Sequence, residues 1–172
     1  VPNVPGWQTE IALFSSGMAA ITAAILVLRR LKETCGWADG HALQVDTFAG
    51  YFETLNLLHL LNSADLSCRH FREQAPLLDR FSQGETDVLF LELVAYDLVQ
   101  TVVDPARLLE ALVARPADRP WLLLLDTTLL GPLFRIDPFL AACGEKTPLL
   151  ILDIRSGLKL DQVGLEYSNV GS

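Results

Sequence analysis

The sequence predicts an α/β fold in which a mainly parallel sheet lies between two layers of helices. The first observation is a set of four short apolar runs, each followed by a carboxylate: residues 42–45, 87–91, 121–125 and 149–152. Runs that are apolar on both faces are typical of parallel strands covered by helices on both sides. The second observation is that segments with helical periodicity separate these runs. Such alternation favours a three-layer α/β/α architecture with right-handed crossovers.

The first predicted helix covers residues 17–31 and is apolar on nearly all sides, which indicates a buried position. The uncharged stretch over residues 11–28 also holds two serines, a glycine and a threonine. A membrane-spanning helix requires about 20 apolar residues without such interruptions. We therefore expect a buried helix and no membrane partner.

Three further helices are predicted, the first two from periodicity and capping. Residues 51–62 keep their polar side chains three positions apart, so that one solvent-facing stripe runs along an apolar helix. Asp104 is an N-cap followed by Pro105, and the helix that it begins ends at Pro116. A short helix is expected near residues 137–143. The expected buried face of the helix after Asp104 comprises Leu108, Leu109, Leu112 and Val113.

Composition narrows the range of partners. The 172 residues include 21 acidic and 13 basic side chains, a formal net charge of −8, which argues against a nucleic-acid partner. Three cysteines without C-x-x-C spacing predict reduced thiols in a cytoplasmic protein. The three histidines lack the spacing of metal ligands, so no metal site is predicted. The length predicts one domain, and the 51% of hydrophobic residues indicates that part of its surface faces another domain or chain.

Three polar segments lie where this architecture concentrates function, at helix starts and at the carboxyl ends of strands. Small residues over 14–21 lead into the first helix, whose N-terminus can bind an anion, although an ordinary serine cap explains them better when they are taken alone. Asp126 ends the most apolar strand, where it either caps the next element or meets a cation. Lys159 becomes a nucleophile if it is held in an apolar surround, but most lysines at strand ends are solvated.

An anion cradle, a carboxylate and a lysine, in this order, are the groups that pyridoxal phosphate requires. At this point the sequence resembles the Cys/Met metabolism family of fold type I pyridoxal-phosphate enzymes, which includes cystathionine γ-synthase, cystathionine lyases and methionine γ-lyase. The Ser-Gly-Met-Ala-Ala run over residues 16–20 is the most specific segment. Residues 51–54 are similar to the family's Tyr-Gly-Gly-Thr, residues 126–132 to its Asp-Asn-Thr with a downstream proline, and residues 156–159 to its Ser-x-Thr-Lys.

The resemblance implies a role for each matched residue. Lys159 would be the catalytic residue, holding the cofactor as a Schiff base and then moving a proton as general base. Asp126 would pair with the pyridine nitrogen, and Tyr51 would stack on the ring. The full set of implied cofactor-binding residues is Ser16, Gly17, Met18, Tyr51, Asp126, Thr128, Ser156 and Lys159.

Five positions depart from the family pattern. Phe52 and Glu53 replace two glycines, so the loop beside the cofactor ring must run differently. Tyr96-Asp97 stands where the family has Asn-Pro. Leu158 replaces the threonine beside the lysine, which removes one hydroxyl from the phosphate.

Members of the family are more than twice as long as this chain and carry an N-terminal arm and a C-terminal small domain. The resemblance therefore implies that residues 1–172 form one partial large domain that binds the cofactor. The small domain of the family supplies an arginine for the substrate carboxylate. We accordingly expect a homo-oligomer, such as a dimer, or a companion chain to complete the site.

The predicted function is that of a pyridoxal-phosphate-dependent lyase or transferase acting on a sulfur-containing amino acid or its conjugate. The reaction would be C–S bond cleavage by β- or γ-elimination, or replacement. One alternative is a non-catalytic subunit or interaction module on the same scaffold, which the replacements at Tyr96 and Leu158 favour. Another is a different fold type I activity, such as transamination.

Overall fold

The structure is a computed structural model that describes Gly6 and residues 8–35, 40–96, 98–130, 135–146 and 148–157. At positions 35 and 145 it describes the backbone alone. Four residues of the segments that match or depart from the Cys/Met family motifs lie outside these ranges: Asp97, Pro132, Leu158 and Lys159.

Helices and strands alternate along the described residues. The strands are β1 (Leu43–Phe48), β2 (Leu66–His70), β3 (Val88–Glu92), β4 (Leu122–Asp126) and β5 (Leu150–Ile154). The helices are α1 (Gly17–Cys35), α2 (Phe52–Leu61), α3 (Gln74–Ser82), α4 (Pro105–Ala114) and α5 (Asp137–Cys143), the last followed by a 3-10 turn over Gly144–Lys146.

The five strands form one sheet in the order β2-β1-β3-β4-β5, and all four pairings are parallel. This confirms the predicted α/β class with a mainly parallel sheet. Four of the strands correspond to the four apolar runs of the sequence. The edge strand β2 and the helix α3 were not predicted, because β2 carries polar, partly exposed residues and α3 contains a proline.

Helices cover both faces of the sheet. Leu89, Leu91 and Leu123 pack with α3, α4 and α5, whereas the alternate residues Val88 and Phe90 pack with α1 and α2. Because successive side chains of a strand point to opposite faces, both sets are buried, and β3 and β4 are apolar up to their last residue. The predicted three-layer arrangement is therefore confirmed.

The carboxylates do not all lie at strand ends as expected. Glu92 and Asp126 are the last residues of β3 and β4, but Asp46 lies inside β1, which continues to Phe48, and Asp153 lies inside β5, which continues to Ile154. Asp46 is fully buried and accepts hydrogen bonds from Arg80 Nε at 3.2 Å and from Thr86 Oγ1 at 2.7 Å. Asp46 therefore connects α3 to the sheet through its hydrogen bond with Arg80.

The start of α4 is confirmed, because Asp104 Oδ1 accepts hydrogen bonds from the backbone nitrogens of Ala106 and Arg107 at 2.9 and 3.3 Å. Its predicted buried face is only half correct, since Val113 is 64% exposed and Leu109 is at the surface. The residues that α4 buries are Leu108, Ala111 and Leu112.

Two findings bear on the partner and thiol predictions. Within the described residues, none of the helices combines the length and the apolar character needed to cross a membrane. Cys68 and Cys143 are free thiols, and burial raises the pKa of each to about 11. These two cysteines are therefore protonated and unreactive near neutral pH.

Candidate active site

A cavity of about 350 Å³ opens at the edge of the sheet where β3 and β4 end and α1 begins. Its volume is in the range of sites that bind small molecules. Ligands of open α/β sheets bind at this carboxyl edge. The described lining residues are Ser16, Gly17, Met18, Ile21, Tyr51, Glu53, Glu92, Val94, Tyr96, Asp126, Thr128, Leu129 and Ser156.

The first wall is the N-terminus of α1. Ser16 is its N-cap, because Ser16 Oγ accepts a hydrogen bond from the backbone nitrogen of Ala19 at 3.1 Å. A Cβ at Gly17 would lie 3.1 Å from Ser156 Cβ, so the glycine allows the start of α1 to approach the segment after β5. The first backbone N–H groups of a helix have no partner within it, and together with the dipole they favour an anion at this wall.

The second wall is the turn after β4. Asp126 Oδ1 accepts a hydrogen bond from the backbone nitrogen of Thr128 at 2.9 Å. Thr128 Oγ1 in turn accepts one from the backbone nitrogen of Ser156 at 3.0 Å. These bonds connect the ends of β4 and β5, and they show that Asp126 caps its turn while its carboxylate lines the cavity.

The third wall is aromatic. The rings of Tyr51 and Tyr96 meet edge to face, with centroids 5.6 Å apart and planes at 90°. Tyr51 Oη donates a hydrogen bond to Glu53 Oε2 at 2.9 Å. Burial, followed by the hydrogen bond and charge of Glu53, raises the pKa of Tyr51 to about 12. The phenol of Tyr51 therefore stays protonated near neutral pH, donates its one O–H to Glu53, and offers the cavity a ring face instead of a base.

The structure adds Glu92, which the sequence analysis did not place among the site residues. It is 3% exposed and is the β-sheet neighbour of Asp126, so two carboxylates lie side by side at the sheet edge. Burial, and to a lesser extent the charge of Asp126, raises the pKa of Glu92. Its position as the polar end of an apolar strand, the same signal that marked Asp126, could have identified it.

The described lining is acidic. It contains the carboxylates of Glu53, Glu92 and Asp126, and it contains no lysine, arginine or histidine. Among these residues, an anionic group can bind the N-terminus of α1 and the hydroxyls of Ser16, Thr128 and Ser156, but it meets no positively charged side chain. A cationic partner for such a group would have to come from outside the described lining.

Seven of the eight predicted cofactor residues line this one cavity: Ser16, Gly17, Met18, Tyr51, Asp126, Thr128 and Ser156. The eighth, Lys159, lies outside the described residues. Tyr96 faces Tyr51 in the position where the family has asparagine, and Glu53, one of the two glycine replacements, reaches the cavity. Their functional roles stay predictions.

Raised carboxyl pKa values predict that mild acid stabilises the fold. Burial raises the pKa of both Asp87 and Glu92 above the values that these groups have in an unfolded chain. The native state therefore binds their protons more tightly, and this contribution to stability falls as pH rises from the unfolded pKa through the native one. We expect these two groups to raise the urea midpoint at about pH 5 relative to about pH 7.

The control for this prediction is Asp87→Asn, since the amide oxygen can still accept the hydrogen bond that Gln44 N donates to Asp87 Oδ2 at 2.8 Å. The variant should reduce the difference between the two midpoints. A difference that is the same in the variant and the natural protein would contradict the assignment to Asp87.

A parallel sheet between two helix layers, with a cavity at its carboxyl edge, defines the chain as an open-sheet α/β protein. The sequence matches no family model and no curated protein sequence. Among solved structures it is similar to apo CalE6, a methionine gamma lyase from Micromonospora echinospora, with a TM-score of 0.60 and 20% identity over 93% of this chain and 37% of that one.

A second similar structure is the ornithine aminotransferase from Toxoplasma gondii, with a TM-score of 0.57 and 14% identity over 92% of this chain and 39% of that one. At these identities both likenesses concern the fold, and they confirm the predicted fold type I architecture. The chain spans less than two-fifths of the length of either structure.

Proposed function

We propose that the chain is the cofactor-binding part of a pyridoxal-phosphate-dependent enzyme that acts on a sulfur-containing amino acid or its conjugate. One observation carries this proposal: residues from four separate segments of the sequence line a single cavity, namely residues 16–18, residue 51, residues 126 and 128, and residue 156. Each of these segments resembles a motif of the Cys/Met family in its sequence alone. The cavity volume of about 350 Å³ also suits a small-molecule cofactor.

The residues present fit the cofactor. Ser16, Gly17 and Ser156 would hold its phosphate at the start of α1, where backbone N–H groups compensate for the lack of a basic side chain in the described lining. Asp126 would keep the pyridine nitrogen protonated, and Tyr51 would cover the ring. When bound, pyridoxal phosphate supplies an electron sink for cleavage of bonds at the substrate.

Lys159 would hold the cofactor and, once released, move a proton of the substrate as general base. The segment over residues 156–159 supports this role through its likeness to the family's Ser-x-Thr-Lys. Because Leu158 stands in place of the threonine and has no hydroxyl, Ser156 and the N-terminus of α1 would supply more of the hydrogen bonds to the phosphate.

Two further lines of support concern cofactor and substrate. The Toxoplasma gondii structure is described with partial occupancy of PLP at its active site, and CalE6 is described as a methionine gamma lyase. For the sulfur substrate, the main support is the Ser-Gly-Met-Ala-Ala run over residues 16–20. Because the described lining holds no cation for a substrate carboxylate, we propose that a partner subunit or another part of the protein supplies it.

The test is to titrate the purified protein with pyridoxal phosphate and follow the visible absorption band of a lysine-bound cofactor. Borohydride reduction and peptide mapping should locate the cofactor on Lys159, and Lys159→Ala should abolish the band. Lys32→Ala is the matched control, because Lys32 lies in the last turn of α1, at the opposite end of the helix from the cavity. A natural protein that stays colourless and unmodified would refute the proposal and favour the non-catalytic module.

The substrate is tested next. Cysteine, cystathionine and homocysteine should be screened for release of sulfide, pyruvate or 2-oxobutanoate. Release of any of these would support a C–S lyase. Transfer of the amino group to a 2-oxo acid, without release of sulfide, would instead support the aminotransferase alternative.

A further inference from the structure

One carboxylate joins the two loops that carry the aromatic wall. Glu92 Oε2 accepts hydrogen bonds from the backbone nitrogens of Gly50 at 2.7 Å, Tyr51 at 3.2 Å and Tyr96 at 3.2 Å. Tyr51 N also lies 3.2 Å from Glu92 Oε1. Hydrogen bonds from N–H groups to an ionised carboxylate are stronger than those between neutral groups. Glu92 is therefore the common anchor of the loop after β1 and the loop after β3.

The two loops also touch directly. A Cβ at Gly50 would lie 2.8 to 2.9 Å from the backbone atoms of Tyr96, a distance that real Cβ atoms do not adopt. Glycine at this position thus permits both loops to bring their N–H groups to the same carboxylate. The edge-to-face contact of Tyr51 and Tyr96 results from this arrangement, because both rings extend from residues that Glu92 holds by their backbone nitrogens.

Burial makes the placement of Glu92 costly, because an ionised carboxylate out of contact with water loses its hydration. The three N–H groups replace part of that hydration. The titratable group that acts on its charge is Asp126 from β4, which disfavours ionisation, whereas Tyr51 and Tyr96 meet it through their backbone nitrogens. An aliphatic residue at the end of an apolar strand would avoid this cost, but it would leave the three amides without their acceptor.

We propose that Glu92 is a positioning residue, which holds Tyr51 and Tyr96 in the orientation that the cavity presents to its ligand. The proposal rests on the proposed function for the identity of that ligand, pyridoxal phosphate. Glu92 itself contacts backbone amides, so its effect on the ligand passes through Tyr51. Loss of a stacking contact weakens binding by roughly tenfold.

The positioning role is tested first without any ligand, by amide NMR of the full protein. In the natural protein, the amide protons of Gly50, Tyr51 and Tyr96 should titrate together, with a midpoint above the ordinary range of a glutamate. In Glu92→Gln, this shared titration should disappear. Glu53→Gln is the matched control, because Glu53 also lines the cavity but bonds to the hydroxyl of Tyr51, and it should leave the shared titration in place.

The second measurement is the dissociation constant of pyridoxal phosphate. Glu92→Gln should weaken binding by roughly tenfold while the near-ultraviolet circular dichroism of the tyrosine pair changes and the far-ultraviolet spectrum does not. Glu92→Asp, which keeps the charge, should recover part of both signals. An unchanged dissociation constant in Glu92→Gln would overturn the proposal.

These measurements distinguish a failure of the proposed function from a failure of the positioning role of Glu92. If the natural protein binds no pyridoxal phosphate, the proposed function fails, and the amide titration alone decides whether Glu92 holds the two loops. If the cofactor binds but the three amides titrate independently, the positioning role fails and the proposed function stands. If Glu92→Gln does not fold, the positioning role is tested by the shared amide titration of the natural protein and by the measurements on Glu92→Asp.

Discussion

Replacing Arg115 with alanine should lower the free energy of unfolding by about 3–5 kcal/mol. Arg115 is 2% exposed, and its guanidinium donates hydrogen bonds to the carbonyl oxygens of Phe81 at 2.8 Å and Thr86 at 3.0 Å. It also lies 4.7 Å from the centre of the Phe81 ring. Alanine would leave buried carbonyls without a donor and an empty volume between α3, α4 and the sheet.

Urea denaturation at neutral pH measures this loss. Burial lowers the pKa of Arg115 to about 10, so the guanidinium is still charged in this experiment. Arg107→Ala is the matched control, because Arg107 is an exposed arginine of α4 and should change stability by about 0.5 kcal/mol or less. A loss of under about 1 kcal/mol in Arg115→Ala would show that the buried guanidinium does not stabilise the fold as argued.

Replacing Gly50 with alanine is expected to cost about 1–3 kcal/mol and to separate the two aromatic loops. The added Cβ would lie 2.8 Å from the backbone carbon and 2.9 Å from the backbone nitrogen and oxygen of Tyr96. Backbone atoms cannot rotate aside as a side chain can, so the chain itself must move. This movement would lengthen the hydrogen bonds that Gly50 and Tyr96 donate to Glu92.

Gly50→Ala has two readouts: the urea midpoint, and the affinity for pyridoxal phosphate, which should fall together with it. Gly40→Ala is the control, because Gly40 has a φ of +81° and no atom within 4 Å of the added Cβ. That variant should lose about 1 kcal/mol through backbone strain without changing the affinity. Equal affinities in the Gly50→Ala variant and the natural protein would contradict the close contact between the loops.

The elements that the sequence predicted are those whose signal is local. Strands β1, β3, β4 and β5 appear in the sequence as apolar runs because their apolar side chains pack against one or the other helix layer. Strand β2 is different: it lies at the edge of the sheet, and its residues Arg69 and His70 are exposed, so no apolar run marks it. Helix α3 was not predicted because it is only nine residues long and contains Pro76.

The site was predictable only in part for the same reason. Ser16 and Asp126 carry local signals, a helix cap and a polar strand end, and both line the cavity. The partners of Glu92 are backbone amides, and Gly50 and Tyr51 lie 42 and 41 residues away in the chain. A backbone N–H group does not depend on the identity of the side chain, so the sequence did not indicate which residues donate hydrogen bonds to Glu92.

The sequence by itself determined the fold class and the edge of the sheet at which polar groups gather, because side-chain periodicity reports which face of each element is buried. The tertiary structure alone decided that Glu92 joins residues 16, 51, 126 and 156 in one cavity. The physical reason is the parallel register, which pairs Glu92 with Asp126 and brings the ends of separate strands to one edge beside the start of α1.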